Sequence, residues 1–142
     1  HVITECAAVI TYLADAFPKA GLRPKDHGAF FRWMFFGAGP VEAAVTNKAL
    51  GVLVPPERRG MVGYGSLELV TATLANHLGH HPYLCGDTFS AADVYVGSQI
   101  GYGLRFGTIE ARPELAEYWS RISARPASAR ASALDNALMA KG

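Results

Sequence analysis

The run Tyr83-Leu84-Cys85-Gly86-Asp87-Thr88-Phe89-Ser90-Ala91-Ala92-Asp93 decides the fold. Its last five residues read as the opening of a helix. Ser90 at the N-cap can accept from the backbone N–H of Asp93, and Asp93 can reach back to the N–H of Ser90. That is a capping box with Asp in place of Glu. Phe89, just before the cap, can pack on Val94 as a hydrophobic staple. The following stretch, Val94 to Leu104, carries few charges, so this helix is expected at the centre of the core. A buried helix start leaves orphan N–H groups unless a cap satisfies them. Asp93 therefore reads as a structural residue, whose loss should cost about 1–2 kcal/mol. A catalytic carboxylate is the weaker reading.

Working outward, residues 4–17 place Ala7, Val9, Ile10, Leu13, Ala14 and Phe17 at helical spacing. Thr4 and Glu5 stand where a helix start favours an oxygen acceptor and a negative charge. Pro18 and Gly21 end this helix, and a linker follows. A second helical region runs from about Asp26 to Leu50, with an expected kink at Pro40. Pro56 and Glu57 suggest a third helix reaching about His80. The fourth spans Ala91 to about Phe106, the fifth Pro113 to Ala124, and the sixth Ser128 to Met139. No alternating run is long enough for a sheet, so the class is all-α.

With Phe89, Ser90 and Asp93 in place, the segment Tyr83–Asp93 resembles the stretch that starts the central helix of the glutathione S-transferase C-terminal domain. The later residues Arg112-Pro113, Tyr118, Trp119, Arg121 and Arg125-Pro126-Ala127 are similar to the tail of the same domain. Ile3 to Leu13 resembles the last helix of that family's thioredoxin-like domain, in which a Glu-Ser pair holds the γ-glutamyl end of glutathione. The resemblance implies a helical bundle over residues 22–142, preceded at 1–21 by the end of a glutathione-binding domain and a linker. It also implies that Glu5 meets the glutathione ammonium and that Cys6 offers its backbone N–H to the carboxylate. A helix N-terminus suits that carboxylate. Cys6 stands where the family usually has serine; the backbone contact survives the change, and a hydroxyl hydrogen bond does not. Cys6 is not the family's catalytic cysteine, because it lies in the wrong segment.

In the family the catalytic Tyr, Ser or Cys precedes the Glu-Ser segment. The catalytic residue is accordingly expected upstream of His1, and the 142-residue chain alone is expected to be inactive. The implied activity is transfer of the glutathione thiolate to a small electrophile, with glutathione as co-substrate and no permanently bound cofactor. Arg32, Phe36 and Tyr102 are candidates for the electrophile site; plain core packing for the aromatics and a solvated charge for Arg32 are the alternatives. A His-Lys pair that touches glutathione in one bacterial class is replaced by Glu42 and Ala43. The family usually forms homodimers, here expected near Arg58, Arg59, Gly63 and Tyr64. Gly60 and Gly63 would share one face of the third helix.

Composition narrows the remaining classes. Half the residues are hydrophobic, 18% are charged and the formal net charge is +1, which argues against disorder and against a nucleic-acid partner. No apolar run is long enough to span a bilayer, and a cytoplasmic location with Cys6 and Cys85 reduced is expected. His77, His80 and His81 cluster without a cysteine or carboxylate at convincing spacing, so a metal site is not expected. The rival to an enzyme is a non-catalytic assembly or ligand-binding module on the same scaffold.

Overall fold

The computed structural model describes residues 1–140. Its α-helices are α1 (Cys6–Ala16), α2 (His27–Phe36), α3 (Glu42–Ala49), α4 (Leu67–Leu78), α5 (Ala91–Phe106), α6 (Pro113–Ser123) and α7 (Pro126–Met139). No β-strand occurs among the described residues; a tight turn with an isolated bridge joins Tyr83 to Gly86. α5 is the central helix, with α1, α2 and α6 packed around it. α4 lies against α3 and α6, and α7 leans on α6.

The opening of α5 is held from three directions. Both carboxylate oxygens of Asp93, which is 1% exposed, are used twice. Oδ2 accepts from the backbone N–H of Ser90 at 2.8 Å and from its hydroxyl at 2.9 Å. Oδ1 accepts from the N–H of Leu84 at 2.8 Å and from the Tyr118 hydroxyl at 2.9 Å. The capping box is present, but the Ser90 hydroxyl gives its proton to the carboxylate, and the firmer acceptor for the Asp93 N–H is the Ser90 carbonyl at 3.1 Å. The Ala91 N–H is met from outside, by the carbonyl of Leu22 in the linker at 2.8 Å. Burial, then the charge of Asp93, pushes the Tyr118 phenol far above its ordinary range, so it stays a donor. Phe89 packs edge-on against Tyr83, 5.7 Å between ring centres, with the Arg125 guanidinium 3.8 Å from the centre of its ring. Phe89 and Val94 line the same cavity, beside α7.

The expected second helix exists in two parts. Asp26 caps α2 by accepting from the Ala29 N–H at 2.9 Å. Its buried face is Phe30, Trp33 and Met34. Pro40 lacks an N–H and would crowd the carbonyl four residues back. The chain answers with a π-helical turn over Gly37–Val41, in which Glu42 donates to the carbonyl of Gly37, five residues back. Gly37 is needed for a second reason: a side chain there would fall 2.8 Å from Val96 of α5.

Two expectations fail. The third helix does not run from Pro56 to His80. Pro56–Met61 is a 3-10 segment, an irregular stretch follows, and α4 begins only at Leu67, where Ser66 accepts from the Leu69 N–H at 3.2 Å. Gly63 and Gly65 have φ of +69° and +71°, a conformation no helix interior accepts, so Gly60 and Gly63 share no helix face. At α1 neither the Thr4 nor the Glu5 side chain supplies a cap: Glu5 occupies the N-cap position without a side-chain hydrogen bond.

α6 reaches α5 closely because of glycine. A Cβ on Gly101 would fall 2.5 Å from the Trp119 ring, and one on Gly97 would fall 2.3 Å from Ile122. Gly101→Ala is expected to cost about 2–3 kcal/mol through overpacking, read as a lower urea midpoint. Asp93→Asn keeps the shape but turns an NH₂ toward donors. It should cost about 3 kcal/mol, against about 1 kcal/mol for Tyr118→Phe, which leaves the other three donors served. Equal losses in the two variants would mean that the clasp is not the organising contact.

Candidate functional site

The one non-glycine residue with positive φ among the described residues is Glu5, at φ 66° and ψ 120°. That conformation costs on the order of 1–3 kcal/mol and persists only where the surroundings hold it. Here it turns the chain sharply into α1. Val9 donates back to the Glu5 carbonyl at 2.9 Å, which closes the first helical turn. Glu5 and Cys6 are both exposed, and Cys6 is a free thiol. The start of α1 thus presents an exposed carboxylate and first-turn N–H groups, an arrangement suited to a ligand carrying both an ammonium and a carboxylate.

Sequence reasoning missed what stands behind this end of α1. Because α1 packs on α5 and the π-helical turn packs on α5 beside it, three polar side chains gather there. Tyr95 directs its hydroxyl to Glu42 Oε2 at 3.4 Å. Gln99 donates to the carbonyl of Gly37 at 3.3 Å, and its own carbonyl oxygen is buried without a partner. Burial raises the Tyr95 phenol above its ordinary range, and the nearby Glu42 and Cys6 add to the effect. Glu42 was noted in sequence only as the replacement for a histidine. Its partnership with Tyr95 spans 53 positions, and no local pattern signals it.

The three electrophile-site candidates have different surroundings. Phe36 is half-buried and packs edge-on against Trp33 at 5.6 Å. Tyr102 is 62% exposed and stacks in parallel on Phe106 near the end of α5, 6.2 Å between ring centres. Arg32 lies over the Trp33 ring at 4.7 Å and lines a cavity between α2 and α4 with Thr73, Asn76 and His77. Of the dimer candidates, Arg58, Arg59 and Gly63 are exposed. Tyr64 is engaged within the chain: its hydroxyl accepts from the Asn47 amide at 2.7 Å.

The histidine cluster serves the fold. His77 stacks on His81 with ring centres 4.5 Å apart and tilts against Trp33 at the same distance. Its Nε2 bonds the carbonyl of Leu84 at 3.0 Å, so the Leu84 peptide is held at both ends, by Asp93 and by His77. No group of three or more metal-ligating side chains is found among the described residues. Cys85 is half-buried, and burial raises its thiol above the ordinary range, which makes it a poor nucleophile.

The architecture is that of an all-helical bundle with a central helix fastened at its N-terminus by a buried Ser–Asp clasp. Residues 64–126 match the family model for the glutathione S-transferase C-terminal domain. The structure resembles that of BphK, a bacterial glutathione S-transferase solved as a ternary complex, with a TM-score of 0.73 and 25% identity over 92% of this chain and 67% of that one. A glutathione transferase from Methylococcus capsulatus str. Bath gives a TM-score of 0.73 at 25% identity, over 96% of this chain and 69% of that one. A sphingomonad glutathione S-transferase complexed with glutathione gives 0.69 at 26%, over 91% and 66%. No curated protein matches the chain. In residues 64–126 and in its fold the chain is thus similar to the C-terminal helical domain of glutathione S-transferases. No helix among the described residues is long and apolar enough to cross a membrane.

His77 supplies a pH test of the packing. Burial lowers its pKa from the ordinary imidazole value, and the neighbouring His81 lowers it further. The unfolded chain therefore binds the proton more readily than the folded one. The contribution of the neutral ring is complete above the unfolded value of about 6.5 and is lost as pH falls through and below it. The urea midpoint is expected to decline between pH 7 and pH 5. His77→Gln should flatten part of that decline while lowering stability at pH 7, because the bond to Leu84 is weakened.

Proposed function

We propose that this chain is part of a glutathione transferase, and that Glu5 and Cys6 hold the γ-glutamyl end of glutathione. The observation that carries the reading is the strained backbone of Glu5 at the exposed start of α1. A backbone cost at a surface helix end, with no side-chain cap gained by it, is what a binding role would require. The match of residues 64–126 to the family's C-terminal domain supports the choice of ligand, as does a similar structure solved with glutathione.

In this reading the Glu5 carboxylate pairs with the glutathione ammonium, and the Cys6 N–H donates to the glutathione carboxylate at the positive end of α1. The reaction forms a carbon–sulfur bond. The glutathione thiolate attacks an electrophilic carbon, the leaving group departs with the bonding pair, and the thiol proton passes to solvent. The residues named here bind and orient; none of them is assigned to ionising the thiol. Arg32, Phe36 and Tyr102 are proposed as electrophile-site residues, the two aromatics facing the apolar part of the electrophile; Arg32 lines the cavity between α2 and α4. Residues 1–21 are proposed as the end of the glutathione-binding domain and its linker, and 22–142 as the helical domain. The full-length protein is proposed to be a cytoplasmic homodimer, with Arg58, Arg59, Gly63 and Tyr64 near the contact.

The test uses a substitution with opposite effects on binding and stability. Glu5→Gly relieves the positive-φ strain and removes the carboxylate. It should raise the stability of the chain by about 1 kcal/mol. In the full-length protein it should raise the KM for glutathione ten-fold or more in a chloronitroaromatic conjugation assay. Cys6→Ser should leave that KM unchanged or lower it, since the hydroxyl is the better donor. Neither turnover nor glutathione binding in the full-length wild type would sink the proposal and leave a non-catalytic module on the same scaffold.

A further inference from the structure

The cavity beside α7 has a volume of about 450 Å³, within the range of small-molecule sites. Separate pieces of chain wall it: Leu22 from the linker, Phe89 before the cap of α5, Val94 of α5, Trp119 and Ile122 of α6, and Ala131 of α7. No residue of α2, α3 or α4 lines it. Val94 and Ser98 reach it from α5, about 100° round that helix from Tyr95 and Gln99. The cavity is therefore separate from the start of α1. α7 has no buried residue and packs on α6, so the space under its first half is left unfilled by its own side chains.

The walls are apolar, and the charge free to meet a ligand is positive. Asp93 and Arg125 are the charged side chains of the lining. Asp93 commits both oxygens to Leu84, Ser90 and Tyr118. Arg125 is different. Neither ion pair found among the described residues includes it. Its guanidinium lies 3.8 Å from the centre of the Phe89 ring, a stacking that fixes its plane and leaves its N–H edges for a partner. Arg125 is also the N-cap of α7 and gives that helix no side-chain cap. Pro126 has no N–H, so Ala127 and Ser128, both in the lining, carry the first N–H groups that α7 does not use itself. A carboxylate can take two bonds from a guanidinium and another from a helix start. A bare oxyanion would leave the apolar walls wet. A neutral molecule would leave the guanidinium without its counter-charge.

We infer that the cavity enclosed by the linker, α5, α6 and α7 binds a small apolar monocarboxylate. Its body lies against Leu22, Val94, Trp119 and Ile122, and its carboxylate meets Arg125 and the start of α7. The ligand completes the packing under α7 and ties that helix to the linker. Binding does not depend on the chain holding glutathione.

The experiment titrates the nitrogen-15-labelled chain with 2-naphthoate and, separately, with its neutral counterpart 2-naphthamide, followed by NMR. The indole N–H of Trp119 reports on the cavity. Trp33, in the buried face of α2 and outside the lining, is the internal reference, and the amides of Glu5 and Cys6 report on the other site. Saturable shifts of Trp119, Ala127 and Ser128 are expected with naphthoate, with Trp33, Glu5 and Cys6 unmoved, and the melting temperature should rise with ligand. Naphthamide should bind ten-fold or more weakly. Arg125→Gln should bring naphthoate down to the affinity of naphthamide and leave naphthamide unchanged. Because Arg125 also packs on Phe89, a second variant guards against a folding effect: Ala131→Phe, at an exposed position of α7, fills the cavity and should abolish binding of both probes without lowering the melting temperature. Linear shifts, equal affinity for the two probes, or undiminished binding of naphthoate in Ala131→Phe would overturn the inference. Saturable shifts at Glu5 and Cys6 in place of Trp119 would put the ligand at the start of α1 and would also overturn it.

Discussion

Everything in the bundle is referred to the Asp93 carboxylate. A buried charge is stable only when its lone pairs are filled by well-placed donors, and here four donors come from three separate pieces of chain: the 83–90 turn, the cap of α5, and α6. None of these pieces can move without exposing or orphaning the charge. Hydrogen bonds to an ionised acceptor are stronger than neutral ones, and water is excluded from them. The clasp therefore does more than cap a helix. It sets the register of α6 through Tyr118 and the path of the preceding turn through Leu84. His77 extends the same chain of contacts to α4, since it bonds the other side of the Leu84 peptide.

Once α5 is fixed, the position of the candidate binding end follows. α1 and the π-helical turn pack on α5, and the linker carbonyl of Leu22 caps the Ala91 N–H. Arg23 holds the linker on the other side, paired with Asp15 at 3.3 Å and lying over Phe30 at 4.2 Å. The exposed start of α1 is thus tied at the far end of its helix to the same buried helix start that Asp93 organises. Tyr95 and Gln99 project from α5 toward that end because the helix period brings them to one side, four residues apart.

How much of this could be read in advance depended on the range of the interaction. The boundaries of α5 were legible because cap, charge depletion and composition all agreed within one stretch. The all-helical class was legible for the same reason. The stretch from Pro56 to Ser66 was misread because Pro56 and Glu57 are a true start signal for a short 3-10 segment, while the two glycines that end it look like helix residues until their positive φ is seen. Ser66 was the real cap. Tyr118 as a partner of Asp93, Gln99 at the Gly37 carbonyl, and Glu42 beside Tyr95 arise from packing between distant segments, which no window of sequence reports. The glycines of α5 carried a usable sign: Gly97 and Gly101 recur on one face of a buried helix, and such spacing lets another helix approach closely, as α6 does.

The contrast between Asp93 and Glu5 separates structure from function in this chain. At Asp93 every level agrees: local capping, burial, hydrogen bonding and tertiary packing all favour one conformation, as expected of a residue whose role is the fold. At Glu5 the levels disagree. The backbone is strained, the side chain makes no cap, the residue is exposed, and the helix it opens would begin more cheaply with glycine or an ordinary N-cap. The proposed glutathione site would give that arrangement a use, because there the carboxylate and the helix end meet one ligand together. A ligand with an ammonium and a carboxylate on one carbon fits both features at once, whereas a lone anion would be repelled by Glu5 and a lone cation would gain nothing from the helix end.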